Sequence, residues 1–207
     1  MPLQRGSATF SRFTVAPPGG DARRWLGRGL ARGAFEPLDP GRSEEDRSAG
    51  FVEREDQDAT GFSTSAVMVG EWALFTWRVD SVAVRASALK AELARWEAQQ
   101  LARGGRPPSK TARAEARDAH RRELRLRTPV STRTFDVSWN LESDELLAWA
   151  GSRKVVEEIA EAVEAAFEAT LTPCTTATLA ARGGGSLDGL APTPALVGTP
   201  GDAEVAP

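Results

Sequence analysis

Ten cations stand between Leu101 and Thr134: Arg103, Arg106, Lys110, Arg113, Arg117, Arg121, Arg122, Arg125, Arg127 and Arg133. Only three anions accompany them, Glu115, Asp118 and Glu123, a local excess of +7 in a chain whose formal net charge is -3. Guanidinium groups concentrated this way make charge-assisted hydrogen bonds to oxyanions. A field of that size suits a polyanion better than a small neutral ligand. Arg113, Arg117 and Arg121 recur at i, i+4 and i+8, so they share one helical face. Lys110 joins that face, Arg103 and Arg106 sit just before it, and Arg125 belongs to the same basic set. Neutralising about six phosphates would give log K a slope of roughly -5 against log salt.

A second stripe repeats the spacing at Arg24, Arg28 and Arg32. Two basic helices offer more phosphate-binding surface than one. Opposed to them is the stretch from Phe135 to Thr172, with nine carboxylates against Arg153 and Lys154. An acidic helix can dock on a basic one, within the monomer or across a dimer, and use the same charge for assembly. The alternative to a nucleic-acid interface is therefore a protein-interaction module whose basic arm meets an acidic face. Zinc-finger spacing and a clear helix-turn-helix are both lacking, so contact with the sugar-phosphate backbone is expected without base reading.

Other chemistry finds less support. Glu53, Glu55, Asp56 and Asp58 lie close together, but without the glycine and terminal glutamate of a calcium loop, and read as a solvated acidic loop. The single histidine, His120, sits among arginines of the basic segment and reads as a surface or interhelix residue. The single cysteine, Cys174, excludes an intramolecular disulfide framework and a Cys-rich zinc site. Gly183-Gly184-Gly185-Ser186 lacks the lysine and following helix of a phosphate loop. Trp25, beside Arg24, is the one tryptophan considered for stacking on a base; Trp72, Trp77, Trp96 and Trp139 read as core. No nucleophile, base and oxyanion set can be assembled, so no enzymatic activity and no cofactor is expected.

The elements that must position the cations follow from periodicity and punctuation. Ser7 to Val15 reads as a strand and is broken by Pro17-Pro18-Gly19-Gly20. Asp21 can cap a helix to about Ala31, with Trp25, Leu26 and Leu30 on one face and Gly33 as its stop. Glu36 to Asp58, with nine carboxylates and three arginines, reads mostly as loop. Phe62 to Val69 and Trp72 to Val84 are strand-like runs around Gly70-Glu71. Ser87 caps a helix with Leu89, Leu93 and Trp96 as its stripe. After the turn at Gly104 to Pro108, Ser109 caps a second helix, Lys110 to about Arg127, stopped by Thr128-Pro129. The pair predicts a projecting antiparallel helical arm over about 87–128. Val130 to Trp139 alternates as a strand, and Glu145 to Ala150 is a second. Ser152 caps a last helix with Val155, Val156, Ile159, Val163, Ala166 and Phe167 inside. The mixture without βαβ alternation is α+β, with small antiparallel sheets and packed helices over 1–172. The Gly, Ala, Thr and Pro composition of 173–207 predicts a disordered tail.

The 207 residues, 41% of them hydrophobic, suffice for a real core. Neither a membrane-spanning apolar run nor a secretory leader is legible, and a cytoplasmic protein is expected.

Several of these residues carry a resemblance. Gly33-Ala34-Phe35-Glu36-Pro37 followed by Gly50-Phe51-Val52 resembles the N-terminal part of the recombination-associated protein RdgC family. So do a hairpin ending in Trp77-Arg78-Val79, a helix from Leu89 to Gln100, Gly105 to Lys110, and a charged helix holding Glu115, Arg122 and Glu123. The strand, turn, strand and helix from Thr134 to Phe167 follow in the family's order, and the match spans about Thr9 to Leu171. The family's C-terminal half has no counterpart, and its Leu-Leu-Pro-x-Ala-Phe passage is echoed loosely by Leu126 to Pro129 and Phe135. The resemblance implies a non-enzymatic, ring-shaped homodimer with a basic inner surface. Such a protein binds double-stranded DNA with little sequence preference, associates with the nucleoid and restrains recombinase filaments. It makes Arg24, Arg28, Arg32, Arg103, Arg106, Lys110, Arg113, Arg117, Arg121 and Arg125 the candidates for DNA contact.

Overall fold

The computed structural model describes residues 9–16 and 22–184; of 22–24 only the backbone is described. The elements run β1 (Ser11–Ala16), α1 (Ala22–Arg32), β2 (Arg47–Glu53), α2 (Thr64–Val67), β3 (Met68–Val69), β4 (Trp72–Ser81), α3 (Ala86–Gly104), α4 (Lys110–Arg127), β5 (Ser131–Asn140), β6 (Glu145–Ala148), α5 (Arg153–Phe167), β7 (Thr170–Pro173) and α6 (Thr176–Arg182). The class is α+β. The strands form one seven-stranded sheet, where small separate sheets were expected, in the order β2-β4-β5-β6-β1-β7 with β3 also on β4. All named strand pairs are antiparallel.

Alternation puts one apolar set on one face of the sheet. Phe51 lies opposite Trp77, Trp77 opposite Phe135, and Phe75 opposite Val137. Trp139 faces Leu146, which faces Phe13, and Val15 faces Leu171. α1 and α5 pack together, and their Leu26, Leu30, Ile159, Val163 and Phe167 join this set in one buried core. Phe167 anchors it, with ring centroids 5.2 Å from Trp139 and 5.7 Å from Trp25. Trp25 also lies 5.0 Å from Trp139. It is therefore a core aromatic, and the base-stacking role considered for it is corrected.

The β2 edge is closed by the chain that leaves α1. Phe51 donates its N–H to Gly33 O at 2.8 Å, and Phe35 donates to Phe51 O at 2.9 Å. Phe35 thereby lies over Gly50, and the Arg78 guanidinium carbon sits 4.4 Å from its ring centroid. This strand was read as loop; its charged ends and central glycine hide the alternation. A second correction comes at the C-terminal end. The fold continues past Pro173 into α6, whose N-terminus is a reciprocal cap between Thr175 and Thr178. Residues 185–207 of the expected tail lie outside the described residues, as do Pro17 to Asp21, where the first helix cap was expected.

The arm is an insertion between two neighbouring strands. β4 and β5 pair along their whole length down to Ser81 opposite Ser131. Between those residues the chain runs out along α3 and back along α4. At 1.5 Å per residue each helix is about 28 Å long. α3 buries no residue, and α4 buries only Ala116 and Arg125. Leu89, Leu93 and Trp96 of α3 and Ala112, His120 and Leu124 of α4 are half-buried, which is the seam a two-helix arm can make. The helix ends at the tip follow the sequence signals, but α3 begins at Ala86 after Arg85, so the cap expected at Ser87 is corrected. Ser109 Oγ accepts the Ala112 N–H at 3.2 Å, and Gly105 closes α3 in a left-handed conformation.

Candidate nucleic-acid interface

The distal half of the arm holds the exposed positive charge. Every residue from Leu101 to Pro107 is exposed. Arg103, Arg106, Lys110 and Arg117 are exposed and form no hydrogen bond or ion pair with the described residues. Lys110 and Arg117 stand seven residues apart on one face of α4, about 10.5 Å along the axis. Because α3 and α4 run antiparallel, their macrodipoles offset each other, and the field at the tip comes from the side chains.

The other cations of this face of α4 are engaged, Arg113 in the distal half and Arg121 and Arg125 towards the root. Arg113 pairs with Glu97 of α3 at 3.0 Å. Arg121 pairs with Asp46 at 3.3 Å, and Arg125 with the same carboxylate at 2.7 Å. Arg125 also donates to the carbonyls of Pro40 at 2.7 Å and Ser43 at 2.6 Å, and to that of Glu45. Its side chain is only 10% exposed. Arg125 is therefore a buried tie between α4 and the acidic segment before β2, and its assignment as a DNA contact is corrected. Five donors in a rigid fork explain why arginine holds four acceptors there. Asp46 in turn has its carboxyl below the usual carboxylate range. The Arg125 hydrogen bond is the largest cause, desolvation opposes it, and the charge of Arg125 and the Arg121 contacts add to it.

The first helix does not join this surface. α1 packs on α5 and β2, with no extensive contact to either arm helix. Arg32 bonds to Glu168 at 2.6 Å and to Ala166 O at 3.2 Å, which fastens α1 to the end of α5. Its side chain nonetheless remains 54% exposed. Arg28 is exposed but engaged, and the side chain of Arg24 lies outside the described residues. Of the acidic-on-basic contact weighed in the sequence, the Arg32–Glu168 pair is the part seen at α1, whose packing on α5 is otherwise apolar, and among the described residues no ion pair joins α5 to the arm. Glu157 takes Arg153, Glu158 takes Arg47, and Glu164 accepts the Leu171 N–H at 2.7 Å.

Sequence reasoning missed Asp46 and Glu97, whose partners lie far along the chain or on the other helix. It also missed a cleft of about 500 Å³ between residues 40–46 and α4, with Arg42, Arg121 and Arg122 on its walls. The carboxylates considered for a metal are singly employed. Glu53 accepts the Phe62 N–H at 2.8 Å, Glu55 pairs with Arg54, and Asp58 pairs with Arg78 at 2.6 Å. His120 is half-buried between the arm helices, its Nδ1 3.7 Å from Glu123. Among the described residues no helix is long and apolar enough to cross a membrane. No protein-family model matches the sequence, and no curated protein matches it.

Proposed function

We propose that this chain binds double-stranded DNA without reading its sequence, through the distal half of its helical arm. The carrying observation is the set Arg103, Arg106, Lys110 and Arg117, exposed and without a partner among the described residues, on a rod that stands clear of the core. Lys110 and Arg117, about 10.5 Å apart along one face of α4, can meet separate phosphates of one duplex. Trp96 is the arm's one Trp, Tyr or Phe and it is half-buried, so the arm has no platform for stacking unpaired bases. That favours duplex over single strand. The resemblance of the sequence to the RdgC family supports a homodimer on the nucleoid that restrains recombinase filaments and performs no covalent chemistry.

The test is a mobility shift of the full chain on unrelated duplexes across a salt series. These four free cations alone contribute about -3.6 to the slope of log K against log salt. Affinity should vary little with sequence. Replacing Arg103, Arg106, Lys110 and Arg117 together by glutamate should abolish binding and leave the melting temperature unchanged. Undiminished binding in that variant would transfer the arm to the protein-interaction reading. Light scattering tests the dimer, and a strand-exchange assay tests recombinase restraint.

A further inference from the structure

The cleft between residues 40–46 and α4 continues the stripe on which Arg117 stands. Arg121 lies one turn further towards the root, about 6 Å along the axis. It is held by a single contact, 3.3 Å from Asp46, and its side chain remains 60% exposed. Arg42 faces it across the cleft with its side chain 90% exposed, and its one contact is with Asp39 at 3.5 Å. Arg122 spends only Nε, on Asp118 O at 3.4 Å. Glu44 and Asp46 also line the cleft, so three accessible cations face two carboxylates. Arg125 is excluded from exchange because it is buried and held by four acceptors.

We propose that this cleft is a second phosphate-contact site for the same polyanion, in which a backbone phosphate displaces the Asp46 carboxylate from Arg121. Asp46 is then a resident counterion: it keeps Arg121 oriented in the free protein and yields it on binding. The exchange is feasible because the two arginines are held so differently. Asp46 keeps its short bond to the buried Arg125 and stays in place, while the exposed Arg121 pair is of the weak kind that solvent and salt already loosen. A phosphate offers Arg121 the same charge-assisted geometry together with neighbouring phosphates for Arg42 and Arg122. The inference rests on the DNA-binding reading.

The experiment measures binding of a fluorescent duplex by anisotropy across a potassium chloride series, with the full chain. Arg121→Gln should weaken binding and make the salt slope shallower by about 0.9, since one phosphate contact is lost. Asp46→Asn should tighten binding by about two- to five-fold, the equivalent of releasing one exposed ion pair. That gain should vanish when Arg121→Gln is also present. Glu44→Gln removes a carboxylate from the same cleft without freeing an arginine, so any gain it gives should persist alongside Arg121→Gln. An unchanged slope in Arg121→Gln overturns the proposal. So does an Asp46→Asn gain that is indifferent to Arg121. The Arg121→Gln measurement decides the matter even if Asp46→Asn folds poorly, because Arg125 keeps all its bonds in that variant. Absence of binding by the unaltered protein at 50 mM salt would instead dispose of the parent reading.

Discussion

The Arg125 Nε donates to Asp46 Oδ1 at 2.7 Å across 79 residues of chain. Asp46 O also accepts the Val82 N–H at 2.9 Å, just beyond the end of β4. One residue thus touches both the sheet at the arm's root and the last turn of the returning helix. The stance of the arm relative to the sheet is set here, because its two helices bury almost nothing else.

Loss of that tie should be costly. Arg125→Ala removes four charge-assisted hydrogen bonds and leaves three loop carbonyls to water. A destabilisation of about 2–3 kcal/mol is expected, less than the sum of four bonds because Asp46 and the loop can rehydrate. For a chain of this size that is roughly 5–10 °C in melting temperature. Arg125→Lys should recover less than half of the loss, since one ammonium cannot span acceptors arranged for a planar fork. Thermal and denaturant unfolding followed by circular dichroism would measure both; an Arg125→Ala protein as stable as the parent would contradict the assignment.

Acid should act on the same tie. The Asp46 carboxyl lies below 3.8 in the folded protein, chiefly through its Arg125 hydrogen bond. A depressed carboxylate contributes stability that is complete above its unfolded value and is lost as pH falls through the folded one. The contribution is therefore whole at pH 5 and lost below about pH 4. Denaturant titrations from pH 5 to pH 2.5 should show Asp46→Asn with a flatter acid limb than the parent. Parallel limbs would mean that the carboxylate is not coupled to folding.

What could be read in the sequence was local. The Ser109 cap and the Thr128-Pro129 stop bound α4 correctly because each acts within one turn. The α5 stripe from Val155 to Phe167 gave its buried face for the same reason; in β5 Val137 and Trp139 are buried as the alternation implied, but Asp136 and Ser138 between them are buried too. Partnerships across the chain were not legible. No spacing rule joins Asp46 to Arg125 or Arg32 to Glu168, so cations that the fold uses internally looked like free ones. β2 escaped because Arg47, Glu53 and Gly50 interrupt its apolar signal, and its edge is completed by Gly33 to Phe35 from elsewhere. The single sheet was hidden because β1 joins it through β6 and β7, more than 130 residues away. α6 is too short and too rich in Thr and Ala to show a stripe; its signal was the Thr175-x-x-Thr178 cap.

Gly50 should tolerate no side chain. A Cβ there would come within 2.5 Å of Phe35 N and 2.8 Å of Ala34 C, and backbone cannot step aside as a side-chain tip can. Gly50→Ala should cost about 1–3 kcal/mol, the usual range for overpacking. It should also free the 33–35 segment from β2, which hydrogen exchange at the Phe35 and Phe51 amides would report as lost protection. Unchanged protection at both amides would show that the segment is held by something other than its fit over this glycine.

Gly29 presents a case in which two effects of known size oppose each other. It lies within α1, so Gly29→Ala should gain about 1 kcal/mol of helix propensity. Its Cβ would, however, overlap the Cδ1 and Cε1 atoms of Phe167, with Cζ only 3.0 Å away. Phe167 cannot swing aside, because Trp25, Trp139 and Phe51 surround its ring at centroid distances from 5.2 to 6.3 Å. Overpacking of about 2–3 kcal/mol should therefore exceed the propensity gain, for a net loss of about 1–2 kcal/mol. The cause can be isolated by a double-mutant cycle with Phe167→Leu, which shortens the obstructing ring at its own cost. In that background Gly29→Ala should become neutral or stabilising, a coupling of about 1 kcal/mol or more. If the two losses simply add, the α1–α5 contact is not limited by this ring, and the glycine answers to some other constraint.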